Sequence, residues 1–311
     1  MLEVENLVKY YGNKMALDGV SFTAKEGEIV GFLGPNGAGK TTAMNIITGY
    51  ISSNSGSVRI DGKDILDEPD SVKRHIGYLP EIPPLYTDMT VSEYMDFVYD
   101  LKKCTLPRKA HLEEIAKVTK TVEVQGRLIS NLSKGYRQRV GIAEALVGDP
   151  KVIIFDEPTV GLDPGQIIEV RSLIRRLGRR HTVILSTHIL SEARAVCDRI
   201  VIIDRGKIIA DEKTDEIASA VDRNRRYSVK ICGVTGDVLK LLKSVPGVAD
   251  VRATGERDLD SYTYLIESEK GRDVRKDVFR ACAERGFAII GMEASGVTLE
   301  EVFIQLTESK R

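Results

Sequence analysis

A short continuous apolar run, Ile29-Val30-Gly31-Phe32-Leu33, leads directly into Gly34-Pro35-Asn36-Gly37-Ala38-Gly39-Lys40-Thr41. These eight residues fit G-x-x-x-x-G-K-[ST], and helical patterning follows from Thr42 to Ile47. In the order buried strand, glycine turn, helix, the glycines let successive backbone N–H groups turn inward around phosphate oxygens. The helix start adds partial positive charge at the same place. Lys40 can reach the β- and γ-phosphates of a nucleotide, and the Thr41 hydroxyl suits Mg²⁺. A chance glycine-rich turn is the competing reading, and it leaves the flanking strand and helix unexplained. A chain with this feature near its start is expected to be an α/β protein.

Further apolar runs at Val152-Ile153-Ile154-Phe155, Val183-Ile184-Leu185 and Ile200-Val201-Ile202-Ile203 support that class. They are continuous rather than alternating, as in parallel strands covered on both faces. The stretches near 2–8 and 57–61 alternate and read as antiparallel strands. Residues 88–147 read as a helical insert. There Thr90-Val91-Ser92-Glu93 matches a capping box, with Val91, Met95, Val98 and Leu101 at helical spacing. The polar stretch Asp222 to Arg226 ends a linker. Beyond it the pattern reads strand (227–233), helix (236–244), strand (248–254), strand (261–267), helix (272–285), strand (287–293) and helix (298–307). That is a βαββαβ order with an added C-terminal helix. The expected organisation is one domain over 1–220 and a small α+β, ferredoxin-like domain over 227–311.

Composition narrows the function class. With 45 Lys+Arg against 46 Asp+Glu, the formal net charge of −1 does not suit a chain built around nucleic-acid phosphates. No apolar run reaches the length of about 18 residues that a membrane-spanning helix needs. The acidic start Met1-Leu2-Glu3-Val4-Glu5 is not a secretory leader. Cys104, Cys197, Cys232 and Cys282 form no C-x-x-C pair and read as reduced thiols of a cytoplasmic protein.

Asp156 and Glu157 close an apolar strand. An aspartate at such a strand end can hold Mg²⁺ directly or through water, and the adjacent glutamate can polarise a water for attack on a γ-phosphate. Alone, the pair reads equally well as solvated loop acids. Beside a phosphate loop it reads as catalytic.

Three more segments follow in order: Leu132-Ser133-Lys134-Gly135-Tyr136, Gly161-Leu162-Asp163-Pro164 and Ser186-Thr187-His188. Together with the phosphate loop and the acid pair, they resemble the ATP-binding cassette (ABC) family over about 1–220. The resemblance implies the P-loop NTPase cassette fold: a mixed sheet with a helical subdomain at about 88–147. It makes Ser133 and Gly135 part of the signature loop, which serves the ATP held by the other subunit. The family usually carries a second glycine where this chain has Lys134, and Gln where it has Tyr136. Tyr11 resembles the adenine-stacking aromatic, with Tyr10 as its neighbour. His188 resembles the switch histidine, and Asp163 the aspartate linking the two subunits' sites. Glu81, after Ile76-Gly77-Tyr78-Leu79-Pro80, stands where most cassettes have Gln; it keeps an oxygen for Mg²⁺ but loses the amide donor.

The Lys-Gly-Tyr signature and the Gly161 to Gln166 segment look like ABC-2-type exporter ATPases. The C-terminal Leu299-Glu300-Glu301-Val302-Phe303-Ile304-Gln305-Leu306 is similar to their accessory domains. The resemblance therefore implies an ATPase using ATP and Mg²⁺. It would pair with a second cassette subunit, expected to be another copy, and drive a separate membrane permease from the inner face of the cell membrane. It implies Lys40, Glu157 and His188 as catalytic residues; Tyr11, Gly34 to Thr42, Ser133, Gly135 and Asp163 around nucleotide; and Thr41, Glu81 and Asp156 around the metal. The main alternative is a soluble ABC ATPase of translation or DNA repair, although such proteins usually carry two cassettes or long coiled-coil insertions. A GTPase is disfavoured because no Asn-Lys-x-Asp motif occurs. Residues 227–311 read as a dimerisation or docking domain, with ligand sensing as the alternative. The arginines 171, 175, 176, 179 and 180 read as the solvated face and end of a helix.

Overall fold

The computed structural model describes residues 1–216, 226–258, 260–269 and 272–295. The chain divides into two compact units, Met1–Thr214 and Asp215–Arg311.

In the first unit, β1 (Leu2–Tyr11), β2 (Lys14–Ala24), β4 (Ser55–Ile60) and β5 (Lys63–Asp64) form an antiparallel sheet in the order β2-β1-β4-β5. A second sheet contains β3 (Ile29–Leu33), β6 (Ile76–Leu79), β7 (Val152–Asp156), β8 (Thr182–Thr187), β9 (Arg199–Asp204) and β10 (Lys207–Lys213). Its order is β10-β9-β3-β8-β7-β6, parallel except for β10. Every residue of β3, β7 and β8 is buried. That two-sided burial is why their sequences run apolar without alternation. Phe22 and Phe32 pack with ring centroids 5.2 Å apart, within a core that includes Leu7, Leu17, Met44, Ile154 and Ile203.

The consequence for function lies in strand polarity. The parallel strands β3, β6, β7 and β8 present their C-terminal ends to one edge of the sheet. Gly34, Glu81, Glu157 and His188 all lie within two residues of those ends. Loops at that edge are where open parallel sheets place ligands.

Helices α1 (Lys40–Ile47), α2 (Pro69–Lys73), α3 (Val91–Leu101), α4 (Arg108–Thr119), α5 (Lys134–Leu146), α6 (Pro164–Leu177) and α7 (Leu190–Val196) complete the unit. The helical insert comprises α3, α4 and α5 with two short 3₁₀ turns. The capping box forms as expected: Glu93 N donates to Thr90 Oγ1 at 3.3 Å, and Thr90 N donates to Glu93 Oε2 at 2.8 Å. Val91, Met95 and Val98 are buried, but Leu101 is exposed because α3 ends there and the chain turns at Lys103, whose φ is positive.

The arginine run is solvated as expected at Arg175, Arg176, Arg179 and Arg180, whereas Arg171 is half-buried. Arg171 pairs with the buried Glu192, Arg175 donates to Ala195 O, Arg176 to Val118 O and Arg180 to Glu114. Helix α6 packs against α7, and its arginines tie neighbouring elements together.

The second unit contains β11 (Arg226–Cys232), α8 (Thr235–Ser244), β12 (Val248–Asp258), β13 (Ser261–Ser268), α9 (Arg275–Glu284) and β14 (Ile289–Ser295). The sheet is antiparallel in the order β12-β13-β11-β14. Strand β13 lies between β11 and β12, and β11 between β13 and β14, so both β-α-β steps are split, as in the ferredoxin-like module. Its own core includes Tyr227, Val229, Ile231, Leu242, Tyr264 and Ile266. Helix α9 begins three residues later than the pattern suggested, where Asp273 Oδ1 accepts from Arg275 N at 3.1 Å. The expected helix 298–307, with Leu299 to Leu306, and the linker residues Asp222 to Arg225 lie outside the described residues. All four cysteines are free.

Candidate active site

The phosphate loop joins β3 to α1, and its glycines are there for two distinct steric reasons. A Cβ at Gly34 would collide with the carbonyl oxygen of Ile203 on β9. Gly39 has φ +110, and a Cβ there would lie 2.7 Å from Ala16 O. The loop is therefore pressed against β9 on one side and the β1–β2 hairpin on the other. Lys40, only 6 % exposed, donates to Gly34 O at 2.8 Å and Pro35 O at 3.3 Å. Its ammonium is folded back over the loop, 3.5 Å from Glu157 Oε1.

Glu157 is 7 % exposed and has φ +49, a left-handed conformation that is costly for a non-glycine residue. Its backbone N donates to Ser186 O at 2.9 Å, which fixes the turn after β7 to the neighbouring strand β8. His188 follows β8, and its Nδ1 lies 2.9 Å from Glu157 Oε1. An ionised carboxylate only accepts, so the contact places the imidazole proton on Nδ1.

Asp156 is 1 % exposed, and neither of its carboxylate oxygens has a hydrogen-bond partner; Glu157 Oε2 and Ser186 Oγ are likewise unpartnered. Asp156 and Ser186 are register partners across β7 and β8. Nearby, burial and then the charge of Asp156 push the Tyr78 phenol well above its ordinary range, and Tyr78 Oη donates to Asn45 Oδ1 at 3.4 Å. A buried carboxylate left without a partner costs several kcal/mol, so these residues fit a cation. Among the described residues no group of three or more His, Cys, Asp or Glu side chains forms a metal cage. Mg²⁺ is held by one or two carboxylates together with phosphate and water oxygens, and the unpartnered Asp156 carboxylate fits that pattern.

These groups open into a cleft of about 590 Å³. Its lining includes Tyr11, Asn36, Gly37, Gly39, Lys40, Thr41, Thr42, Glu81, Glu157 and His188. Pro35 is exposed on the loop, and Gly34 and Ala38 are buried beneath it. Tyr11 lines the cleft with half its surface exposed and with Lys9 Nζ 5.6 Å from its ring centroid. Of the adjacent tyrosines, Tyr11 lines the cleft and Tyr10 does not.

Lys14, Met15, Ala16, Val160 and Arg205 also line the cleft, and none was singled out from the sequence. They belong to no motif: Lys14, Met15 and Ala16 follow Tyr11 around the β1–β2 hairpin, Val160 is three residues beyond Glu157, and Arg205 arrives through tertiary pairing. The Asp18 N to Gly206 O bond of 2.8 Å holds the β9–β10 turn, with Arg205, against β2.

Besides Gly34, Pro35 and Ala38 of the phosphate loop, the expected nucleotide residues Ser133, Gly135 and Asp163 are absent from the cleft lining. Ser133 caps α5 and is exposed, its Oγ accepting from Tyr136 N at 3.4 Å. Gly135 is covered by the Gln166 side chain. Asp163 caps α6, accepting from Gln166 N at 2.9 Å. Ser133 and Asp163 thus share a patch bridged by Gln166 rather than the site around Lys40.

A family profile described as ABC transporter matches residues 17–160. The uncharacterized ABC transporter ATP-binding protein YhcH of Bacillus subtilis is 39 % identical over 310 residues, covering 99 % of this chain and 96 % of its own. The bacitracin transport ATP-binding protein BcrA of Bacillus licheniformis is 30 % identical over 308 residues, covering 98 % of this chain and 97 % of its own. Among solved structures, a dimeric bacterial ABC transporter cassette matches with a TM-score of 0.63 at 30 % identity, over 69 % of this chain and 99 % of that one. A dimeric cassette in a post-hydrolysis state bound to ADP and Pi matches with a TM-score of 0.62 at 29 % identity, over 69 % and 99 %. Relatives that span nearly the whole chain, and a glycine loop set against a buried lysine, carboxylate and histidine, lead to one conclusion: the chain belongs to the ABC transporter family, as an ATP-binding and ATP-hydrolysing cassette.

Proposed function

We propose that the chain powers a membrane exporter of the ABC-2 type, two copies closing on two ATP molecules and moving a separate permease. The observation that carries the chemistry is the convergence on one carboxylate: Lys40 at 3.5 Å and His188 at 2.9 Å from Glu157 Oε1, at the C-terminal edge of the parallel sheet. The export reading is supported by relatives whose names state their tasks. These include the bacitracin transport protein, and the linearmycin resistance ATP-binding protein LnrL of Bacillus subtilis, 30 % identical over 99 % of this chain. No support appears for the alternative in translation or DNA repair.

In this reading Tyr11 stacks on adenine, a contact contributing about 1–3 kcal/mol. The N–H groups of the loop from Gly34 to Thr42, Pro35 having none, cradle the phosphates, and Lys40 exchanges its loop carbonyls for β- and γ-phosphate oxygens. Asp156, Thr41 and Glu81 would hold Mg²⁺, which neutralises charge on the β- and γ-oxygens when bound. Glu157 accepts the proton of the attacking water, and His188 holds Glu157 in place through Nδ1–H. Ser133, Gly135 and Asp163, already removed from the chain's own cleft, serve the nucleotide of the second copy.

Among the described residues no helix is long and apolar enough to cross a membrane. In this reading the chain works as a peripheral subunit at the inner membrane face, with 1–220 as the ATP-binding domain. The second unit, with its own core, is assigned a dimerisation or docking role. The test is solution mass by light scattering of Glu157→Gln with and without ATP. Doubling of the mass with ATP supports the sandwich; a monomer at saturating ATP, also in the presence of the permease, refutes it.

A further inference from the structure

Glu192 is 3 % exposed, more deeply buried than Lys40 or Glu157, and no motif accounts for it. It lies in the first turn of α7, four residues after His188. Its Oε2 accepts from the Thr159 hydroxyl at 2.5 Å, and its Oε1 is 3.3 Å from Arg171 Nη2. Thr159, also buried, sits in the segment that runs from Glu157 to Asp163. Arg171 is on α6, the helix that Asp163 caps. One carboxylate therefore ties together the turn carrying Glu157, the helix beginning at Asp163 and the helix following His188.

Local hydrogen bonds along the chain hold these pieces together so that they can transmit position. Val160 N donates to Glu157 O at 3.3 Å, and Leu162 N donates to Thr159 O at 3.2 Å. On the other side, Ile189 N donates to Thr187 Oγ1 at 3.1 Å, which fixes the chain around His188. A buried carboxylate with both oxygens engaged has little freedom to re-aim.

We propose that Glu192 is a positioning residue for ATP hydrolysis, holding Thr159 and Arg171 so that Glu157 and His188 keep their 2.9 Å contact and Asp163 keeps its place. The inference rests on the hydrolytic reading given above. Glu192 touches neither the phosphate loop nor the adenine side of the cleft, so its effect falls on turnover rather than on ATP binding. Displacement of a reacting group by about 1 Å costs about 10²-fold in rate.

The test is steady-state ATPase kinetics of Glu192→Gln, Glu192→Asp, Thr159→Val and the double variant Glu192→Gln/Thr159→Val. Each is normalised to the number of ATP-binding-competent molecules, so that lost folding does not register as lost catalysis. An amide has a single acceptor oxygen for the two donors. The expected result for Glu192→Gln is a kcat at least tenfold lower with KM for ATP within twofold of wild type. Glu192→Asp, which keeps the charge, recovers part of the loss. Thr159→Val reproduces the direction, and the double variant loses little more than Glu192→Gln, because both substitutions break the same contact. A Glu192→Gln kcat within twofold of wild type, or a KM rising in step with the fall in kcat, overturns the proposal. A wild type that hydrolyses no ATP overturns the hydrolytic reading and this proposal together; an active wild type with an unaffected Glu192→Gln overturns this one alone.

Discussion

Replacing Glu157 by glutamine separates binding from chemistry. The amide has the same shape and keeps an oxygen toward His188, so the turn after β7 is retained. What disappears is a negative charge 3.5 Å from Lys40 Nζ, in a pair whose side chains are both less than a tenth exposed. At about 4 Å, a charge pair is worth about 1 kcal/mol in bulk water and about 4 kcal/mol at an effective dielectric of about 20. The cleft side of this pair is open to solvent, so the lower figure is the safer one. Freed from Glu157, Lys40 binds phosphate more strongly, and ATP affinity rises by at least about fivefold, about 1 kcal/mol. Turnover moves the other way. Loss of a general base costs about 10²–10⁴ in rate, equivalent to about 2.7–5.4 kcal/mol of barrier. The assay is a fluorescent-nucleotide titration for affinity alongside steady-state phosphate release. A Glu157→Gln protein that turns over within tenfold of wild type, or that binds ATP more weakly, refutes the assignment of Glu157 as the base beside Lys40.

Two other expectations follow from particular contacts. Gly34→Ala drives a Cβ into Ile203 O, whereas a Cβ at Gly37 meets nothing within 4 Å. Gly34→Ala should therefore lose about 1–3 kcal/mol to overpacking, seen as a lower Tm together with loss of ATP binding. Gly37→Ala carries only the strain of its positive φ, and equal damage from both would exclude the steric argument. Asp61 is held down from 3.8 to about 2 by its bond from Lys151, joined by the N-terminal ammonium. A carboxyl depressed in the folded state contributes stability above its unfolded value and loses it as pH falls through the folded one. Because the group is over a third exposed, the contribution is about 1 kcal/mol or less. Lys151→Met should lower stability at pH 6 by that amount and by clearly less at pH 2, where Asp61 is partly protonated in the folded state, as read by urea unfolding at the two pH values.

The phosphate loop, the acid pair and the buried strands were legible because each is local: a run of residues that must lie together to do its work. The same holds for the capping box at Thr90 and for the split β-α-β order of the second unit, which the spacing of apolar runs carries. Arg205 and Met15 were not legible as cleft residues. Met15 comes to the cleft by pairing with Tyr10 across the β1–β2 hairpin, and Arg205 because the β9–β10 turn pairs with β2. Arg171 read as a solvated helix face, since the buried carboxylate it meets lies 21 positions away on another helix. Glu192 itself looks like any acid in a helix's first turn until Thr159 is placed against it. Ser133 and Asp163 are a different case. Their expected task depends on a second molecule, and a single chain displays only the patch they share around Gln166.

The central claim, an ATPase subunit working on a separate permease, is tested most directly by capture from native membranes. Tagged Glu157→Gln protein would be incubated with ATP and detergent-solubilised membranes, recovered, and its partners quantified by mass spectrometry. The expected result is one polytopic membrane protein in stoichiometric amount, retained with ATP and depleted without it. Recovery of soluble partners alone, ribosomal proteins among them, or of no membrane protein above the nucleotide-free control, would contradict the exporter reading.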